Sequence, residues 1–248
     1  MVCELNMNYT WLFDLDDTLI SNHHDYAYTK IALAEFLFEA IGYRAPDLQT
    51  IINLHADIDV KNVESMGFRK ERFPTSCRQT YEDICKILHL PVNEEHKKTA
   101  YNIGMRVFDE RYWKKKEMLD GAEETLDFLH HQGDELLLLT KGDQIVQEKK
   151  VAFYQLNRFF RTESIHIFPQ KNKEIIEKVI RGRDKSKVYS VGNSIRSDVE
   201  PSLAAGLNVI YIPCETWQWE REHAGMPEDS NLIKMNKLIE IKEQYHTF

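Results

Sequence analysis

Hydrophobic and polar positions alternate along this chain in two different rhythms. Tyr9 to Phe13 is a short apolar, aromatic-rich run that predicts a buried strand. From Tyr26 the spacing turns helical: Ile31, Phe36 or Leu37, and Ala40-Ile41 recur at three to four residues, closed by Gly42. Pro46 opens a second predicted helix whose apolar set is Leu48, Ile51, Ile52 and His55. Two more are predicted over Pro74 to Leu90 and over 93–115, with Tyr101, Met105 and Phe108 on one side of the latter. Nothing between 26 and 116 reads as a strand.

Beyond residue 120 the rhythm changes. A helix is expected from Gly121 to His131, then Glu135 to Thr140 forms an apolar run too short for a typical helix. A helix over Gln144 to Leu156, a strand Ile165 to Phe168 and a helix over 172–181 follow. The strand Val188 to Val191, a helix over 196–205 and the strand Leu207 to Ile212 complete the series, before a polar tail with a helix expected over 231–244. Strand and helix in alternation predict an α/β fold with a parallel sheet covered on both faces. The expected organisation is a Rossmann-like, doubly wound core from 1–20 and 117–248, interrupted by an all-helical domain over 21–116.

Composition narrows the class. A net charge of −8 with no basic stripe argues against nucleic acid as a partner. The apolar runs are short and the first residues lack the charged-then-apolar order of a secretory signal, so no membrane association and a cytoplasmic location are expected. Cysteines at 3, 77, 85 and 214 have no metal-ligand rhythm and read as free thiols. Trp217 and Trp219 read as packing residues, and the lysine run 114–116 as a complement to a helix C-terminus.

The chemistry lies where the strands stop. In open α/β sheets, ligands bind outside the carboxyl ends of the strands. The first strand ends in Asp14-Leu-Asp16-Asp17-Thr18, and i, i+2 spacing puts Asp14 and Asp16 on one face. Such a pair can supply a nucleophile and a general acid, or hold Mg²⁺. The second apolar strand ends in Thr140-Lys141-Gly142-Asp143, the third leads to Lys171-Asn172-Lys173, and the fourth ends in Gly192-Asn193 with Asp198 close behind. Asp143 reads as a helix N-cap and His23-His24 as surface loop histidines, while Asp17 reads equally as a turn residue or as a working member of the acidic cluster.

This ordered set resembles the haloacid dehalogenase-like (HAD) hydrolase superfamily, over nearly the whole chain. The D-x-D-x-T of 14–18, Thr140, a lysine at the next helix start and G-[DN]-x-x-x-x-D at 192–198 match its four motifs. The helical block falls where one subfamily carries its cap. The resemblance implies Mg²⁺ dependence and an aspartyl-phosphate on Asp14, with Asp16 as general acid and base. It implies phosphoryl binding by Thr140, Lys141 and Lys171, with Lys173 the alternative lysine. It implies metal held by Asp14, the Asp16 carbonyl, Asn193 and Asp198. Asn193 departs from the Asp usual there, so weaker Mg²⁺ binding is expected. The expected activity is a phosphatase acting on a small phosphorylated metabolite, with a phosphomutase or a HAD-fold binding protein as the alternatives.

Overall fold

A computed structural model describes residues 9–113, 117–214 and 225–248. The chain divides into two compact units, Met1–Asn22 with Lys116–Phe248, and His23–Lys115.

The first unit is a six-stranded sheet, parallel in every pairing. Its strands are β1 (Thr10–Phe13), β2 (Glu135–Lys141), β3 (Ile165–Phe168), β4 (Val188–Gly192), β5 (Asn208–Tyr211) and β6 (Leu232–Lys234), in the spatial order β3-β2-β1-β4-β5-β6. β1 lies between β2 and β4, with Phe13 opposite Leu138 on one side and Val191 on the other. Period-2 alternation sorts the side chains into two cores. Trp11, Phe13, Leu136, Leu138, Tyr189 and Val191 pack with Ala122, Leu126 and Leu129 of helix α5 (Ala122–His131) on one face, while Leu12, Leu137, Leu139 and Val188 pack with Ile176 and Val179 on the other. Both faces are covered, which is why the strands read as continuous apolar runs.

Asp134, just before β2, ties the sheet to the C-terminal segment. Its carboxylate accepts from the Tyr9 amide, Trp11 Nε1 and Tyr245 Oη, at 2.8 to 3.1 Å. Here the expectation of a helix over 231–244 is corrected. Residues 232–234 add the edge strand β6, and only Ile239–Glu243 forms a short α-helix. A three-residue strand is too short for periodicity to separate from a helix.

Among the described residues the second unit holds four α-helices: α1 (His23–Ile41), α2 (Leu48–Met66), α3 (Arg72–Ile87) and α4 (Glu94–Met105). Their core contains Leu33, Leu37, Ile51, Phe73, Tyr81, Ile84, Ala100 and Ile103. His23 and His24 start α1 instead of lying in a loop, and Pro46 precedes the Asp47 N-cap of α2 instead of entering the helix. The helix expected over 93–115 stops at Met105. Two 3-10 turns follow, the second capped by Asp109, whose carboxylate accepts from the Arg111 amide. Apolar spacing continues into such turns, so the pattern overruns the helix.

A polar network crosses the interior of this unit. Arg72 pairs with Asp59, Ser76 Oγ donates to Asp59 Oδ1 at 2.7 Å, and Asn62 Nδ2 donates to Ser76 Oγ at 2.9 Å. Cys77 Sγ lies 3.6 Å from His55 Nε2. Burial lowers His55 to about 4 and pushes the Cys77 thiol up, which disfavours the thiolate a reactive cysteine needs. Lys114–Lys116, Trp217, Trp219 and Cys3 lie outside the described residues. Among the described residues no helix is long and apolar enough to cross a membrane.

Candidate active site

The strand order reverses between β1 and β4, and crevices at such a switch point are where open α/β sheets bind ligands. Asp14 is the first residue past β1, fixed by its amide donating to the Val191 carbonyl at 2.9 Å. The chain then turns back on itself: the Asp17 amide donates to the Ile20 carbonyl at 2.7 Å, and Asp17 takes φ 60°. Aspartate tolerates that left-handed conformation better than most residues, and its side chain accepts from the Asn22 amide at 2.8 Å. Asp17 therefore shapes the turn, as its position after the strand suggested.

Across the switch point, β4 ends at Gly192. Ser194 caps a π-helical turn, Ile195–Val199, that returns Asp198 toward the strand end. Asp198 Oδ2 accepts from the Ser194 amide at 2.9 Å. The missing side chain at Gly192 makes this return possible, because a Cβ there would stand 2.5 Å from Asp198 Oδ2. Gly192→Ala is accordingly expected to cost about 1–3 kcal/mol in urea denaturation, the usual range for overpacking. Stability within about 0.5 kcal/mol of wild type would show that Asp198 relocates freely.

Lys171 joins the two strand ends. It sits between β3 and α7 (Lys173–Val179), whose N-cap Asn172 accepts from the Ile175 amide at 2.9 Å. Its Nζ contacts Asp14 Oδ1 and lies 2.6 Å from Asp198 Oδ1, with all three side chains buried. Lys173 instead begins α7. Burial by itself would lower the Lys171 ammonium, but Asp14 and Asp198 outweigh it and raise it, keeping the charge in place. Asp14 is pushed up to about 7, first by burial and then by the charge of Asp198, against the pull of Lys171. Two buried carboxylates thus share one ammonium, so the trio carries an excess negative charge whenever both carboxylates are ionised.

That excess charge is the test of whether a cation suits the site. Asp14 and Asp198 offer carboxylate oxygens, Asn193 an amide oxygen and Asp16 a backbone carbonyl, all hard donors of the type Mg²⁺ prefers. These residues fit such an ion. Asn193 Oδ1 accepts from Thr18 Oγ1 at 3.2 Å, which anchors the amide beside the trio.

The remaining residues come from β2 and the helix behind it, α6 (Gln144–Phe153), capped by Asp143, which accepts from the Val146 amide at 3.1 Å. Thr140 is buried at the strand end, and Lys141 Nζ donates to Ser197 Oγ at 2.7 Å. Asp16 does not join the Lys171 trio. Its carboxylate is met by Gln147 Nε2 at 2.9 Å and Lys150 Nζ at 2.7 Å. Gln147 and Lys150 escaped the sequence reading, although a Gln and a Lys at helical spacing on an apolar face were the available sign.

The sequence profile of the haloacid dehalogenase-like hydrolases matches residues 10–206, which spans the ends of β1, β2, β3 and β4. The chain belongs to the haloacid dehalogenase-like hydrolase family. Solved structures share its fold at low identity. A haloacid dehalogenase-like hydrolase from Xanthomonas campestris is 20% identical over 97% of this chain and 95% of its own, with a TM-score of 0.70. A 2-haloacid dehalogenase from Pseudomonas syringae is 16% identical over 97% and 99%, with a TM-score of 0.62. A β-phosphoglucomutase, assigned as putative, from Thermotoga maritima is 18% identical over 96% and 99%, also at 0.62. No curated protein matches the chain by sequence. HAD hydrolases generally use Mg²⁺, in keeping with the donor set around Asp14.

Proposed function

We propose that this HAD hydrolase is a Mg²⁺-dependent phosphomonoesterase that acts on a small phosphorylated metabolite through an aspartyl-phosphate on Asp14. The observation that carries the reading is the pairing of roles at one strand end. A buried, lysine-gripped carboxylate, Asp14, is followed two residues later by a second carboxylate, Asp16, with its own set of partners. Displacement of halide from carbon needs the nucleophile but no acid, because halide leaves without a proton. An alkoxide leaving from phosphorus does need one.

In the first step Asp14 attacks phosphorus with Oδ2, the oxygen that Lys171 does not hold in the described contacts, and the bond to the ester oxygen breaks. Asp16 delivers the proton to that departing oxygen. Asp16 then withdraws a proton from water as the water attacks the same phosphorus, which frees inorganic phosphate and restores Asp14. Lys171 offsets the negative charge that gathers on Asp14 and the phosphoryl group, and the Thr140 hydroxyl and Lys141 hold phosphoryl oxygens. Asp14, Asp198, Asn193 and the Asp16 carbonyl would hold Mg²⁺, which supplies positive charge against the phosphoryl oxygens and fixes their orientation. The helical unit, inserted between β1 and β2, is assigned the part of a cap that selects the leaving group.

The experiment is phosphate release from p-nitrophenyl phosphate with Mg²⁺ and then with EDTA. Turnover that collapses on chelation and returns with Mg²⁺ supports the reading. A protein that releases no phosphate from any ester in a broad panel, or that releases halide from 2-haloacids instead, overturns it. Transfer of phosphate to a second sugar hydroxyl in place of water would identify the mutase variant of the same chemistry.

A further inference from the structure

Helix α6 turns two polar side chains toward the protein interior. Its buried positions are Val146, Gln147, Lys150 and Val151, spaced so that all four share one face. An ammonium withdrawn from water needs a partner, since stranding it costs several kcal/mol. Lys150 is only 8% exposed, and its Nζ meets Asp16 Oδ1 at 2.7 Å and Asn22 Oδ1 at 2.9 Å. One turn earlier, Gln147 Nε2 donates to Asp16 Oδ2 at 2.9 Å and also contacts Thr140 Oγ1 and the Lys141 carbonyl. Separate donors on one helix therefore hold the two oxygens of Asp16, fixing the plane of the carboxyl group as well as its place.

We propose that Gln147 and Lys150 are positioning residues for Asp16, which set the direction of its carboxyl group and its spacing from the Thr140 hydroxyl. The inference rests on the phosphomonoesterase reading and adds two residues to it. Each carboxylate oxygen has room for two hydrogen bonds. One clamp bond per oxygen thus fixes orientation and still leaves a lone pair on each for the leaving group or water. Gln147 spans the two halves of the chemistry, since the same amide touches Asp16 on the leaving-group side and Thr140 on the phosphoryl side. Lys150 completes the clamp by anchoring Asp16 to Asn22, six residues further along the chain. Misplacement of a reacting group by about 1 Å can cost on the order of 10²-fold in rate, so a clamp of this kind has a measurable consequence.

The test compares kcat/KM for two aryl esters. p-Nitrophenolate leaves readily with little help from an acid, whereas phenolate needs protonation more. Lys150→Met and Gln147→Met, which keep the side-chain length and remove the donors, are each expected to raise the p-nitrophenyl to phenyl phosphate ratio about tenfold. Lys150→Arg, which keeps a cationic donor, should return the ratio toward wild type. Adding Lys150→Met to Asp16→Asn should change the ratio no further, because the group being positioned is already gone. The ratio does not depend on the folded fraction, so a stability defect cannot imitate the effect. A wild-type ratio in both methionine variants overturns the inference alone. Wild-type protein that hydrolyses neither ester overturns the inference and the reading together.

Discussion

Asp14→Asn is expected to lower phosphate release by roughly 10⁴-fold or more, the scale on which other covalent enzymes respond to loss of the nucleophile. Asparagine keeps the shape of the side chain but has no carboxylate oxygen to form the acyl phosphate. The fold should not suffer with it. Burial and the neighbouring charge of Asp198 push the Asp14 carboxyl up to about 7, so the native state bears a cost for keeping that group ionised. A neutral amide removes the repulsion with Asp198 and forfeits only part of the contact with Lys171. Urea denaturation of Asp14→Asn at neutral pH should therefore give a stability equal to or above wild type while turnover vanishes. A variant that loses both together would place Asp14 in the architecture instead of the chemistry.

Lys171→Met is expected to do the reverse to the fold and the same to activity. Lys171 is the ammonium between two buried carboxylates, and removing it leaves Asp14 and Asp198 facing each other without compensation. Breaking a buried ion pair from one side costs about 3–5 kcal/mol. Adding Asp14→Asn to Lys171→Met should recover part of that loss, since it removes one of the two stranded charges. Together with wild type, Asp14→Asn, Lys171→Met and the double variant form a double-mutant cycle. A strictly additive cycle would mean that the two residues do not interact in solution, contrary to the contact between Lys171 Nζ and Asp14 Oδ1.

The parts of this site that were legible in the sequence are those that sit immediately after an apolar run. Asp14, Thr140, Lys171 and Asp198 each lie within a few residues of a strand end, and a doubly covered parallel strand advertises itself as continuous apolar sequence. Once four runs are ordered, the residues behind them are placed on one sheet edge by topology alone. The choice between Lys171 and Lys173 needed coordinates, because both flank the Asn172 cap and only the path of the loop brings one ammonium to Asp14.

What stayed hidden depends on contacts distant in sequence or on irregular backbone. Gln147 and Lys150 lie 131 and 134 residues from Asp16, and a polar side chain in a helix reads as solvated until its partner is known. The π-helical turn at Ile195–Val199 has no periodic signature, so the sequence suggested an ordinary helix from 196. Within that turn Asp198 approaches Gly192, a close packing that single-residue propensities do not record. The edge strand β6 has no sequence signature because Leu232-Ile233 is too brief to carry a period.

In the proposed mechanism the phosphoryl group passes through Asp14. Rapid acid quench during turnover of a phosphate ester, followed by peptide mapping of the trapped protein, tests it directly. A phosphoryl group on the peptide containing Asp14, absent from Asp14→Asn, is the predicted result. Turnover that proceeds at the wild-type rate with no phosphoryl group on that peptide, or with one on another residue, would contradict it.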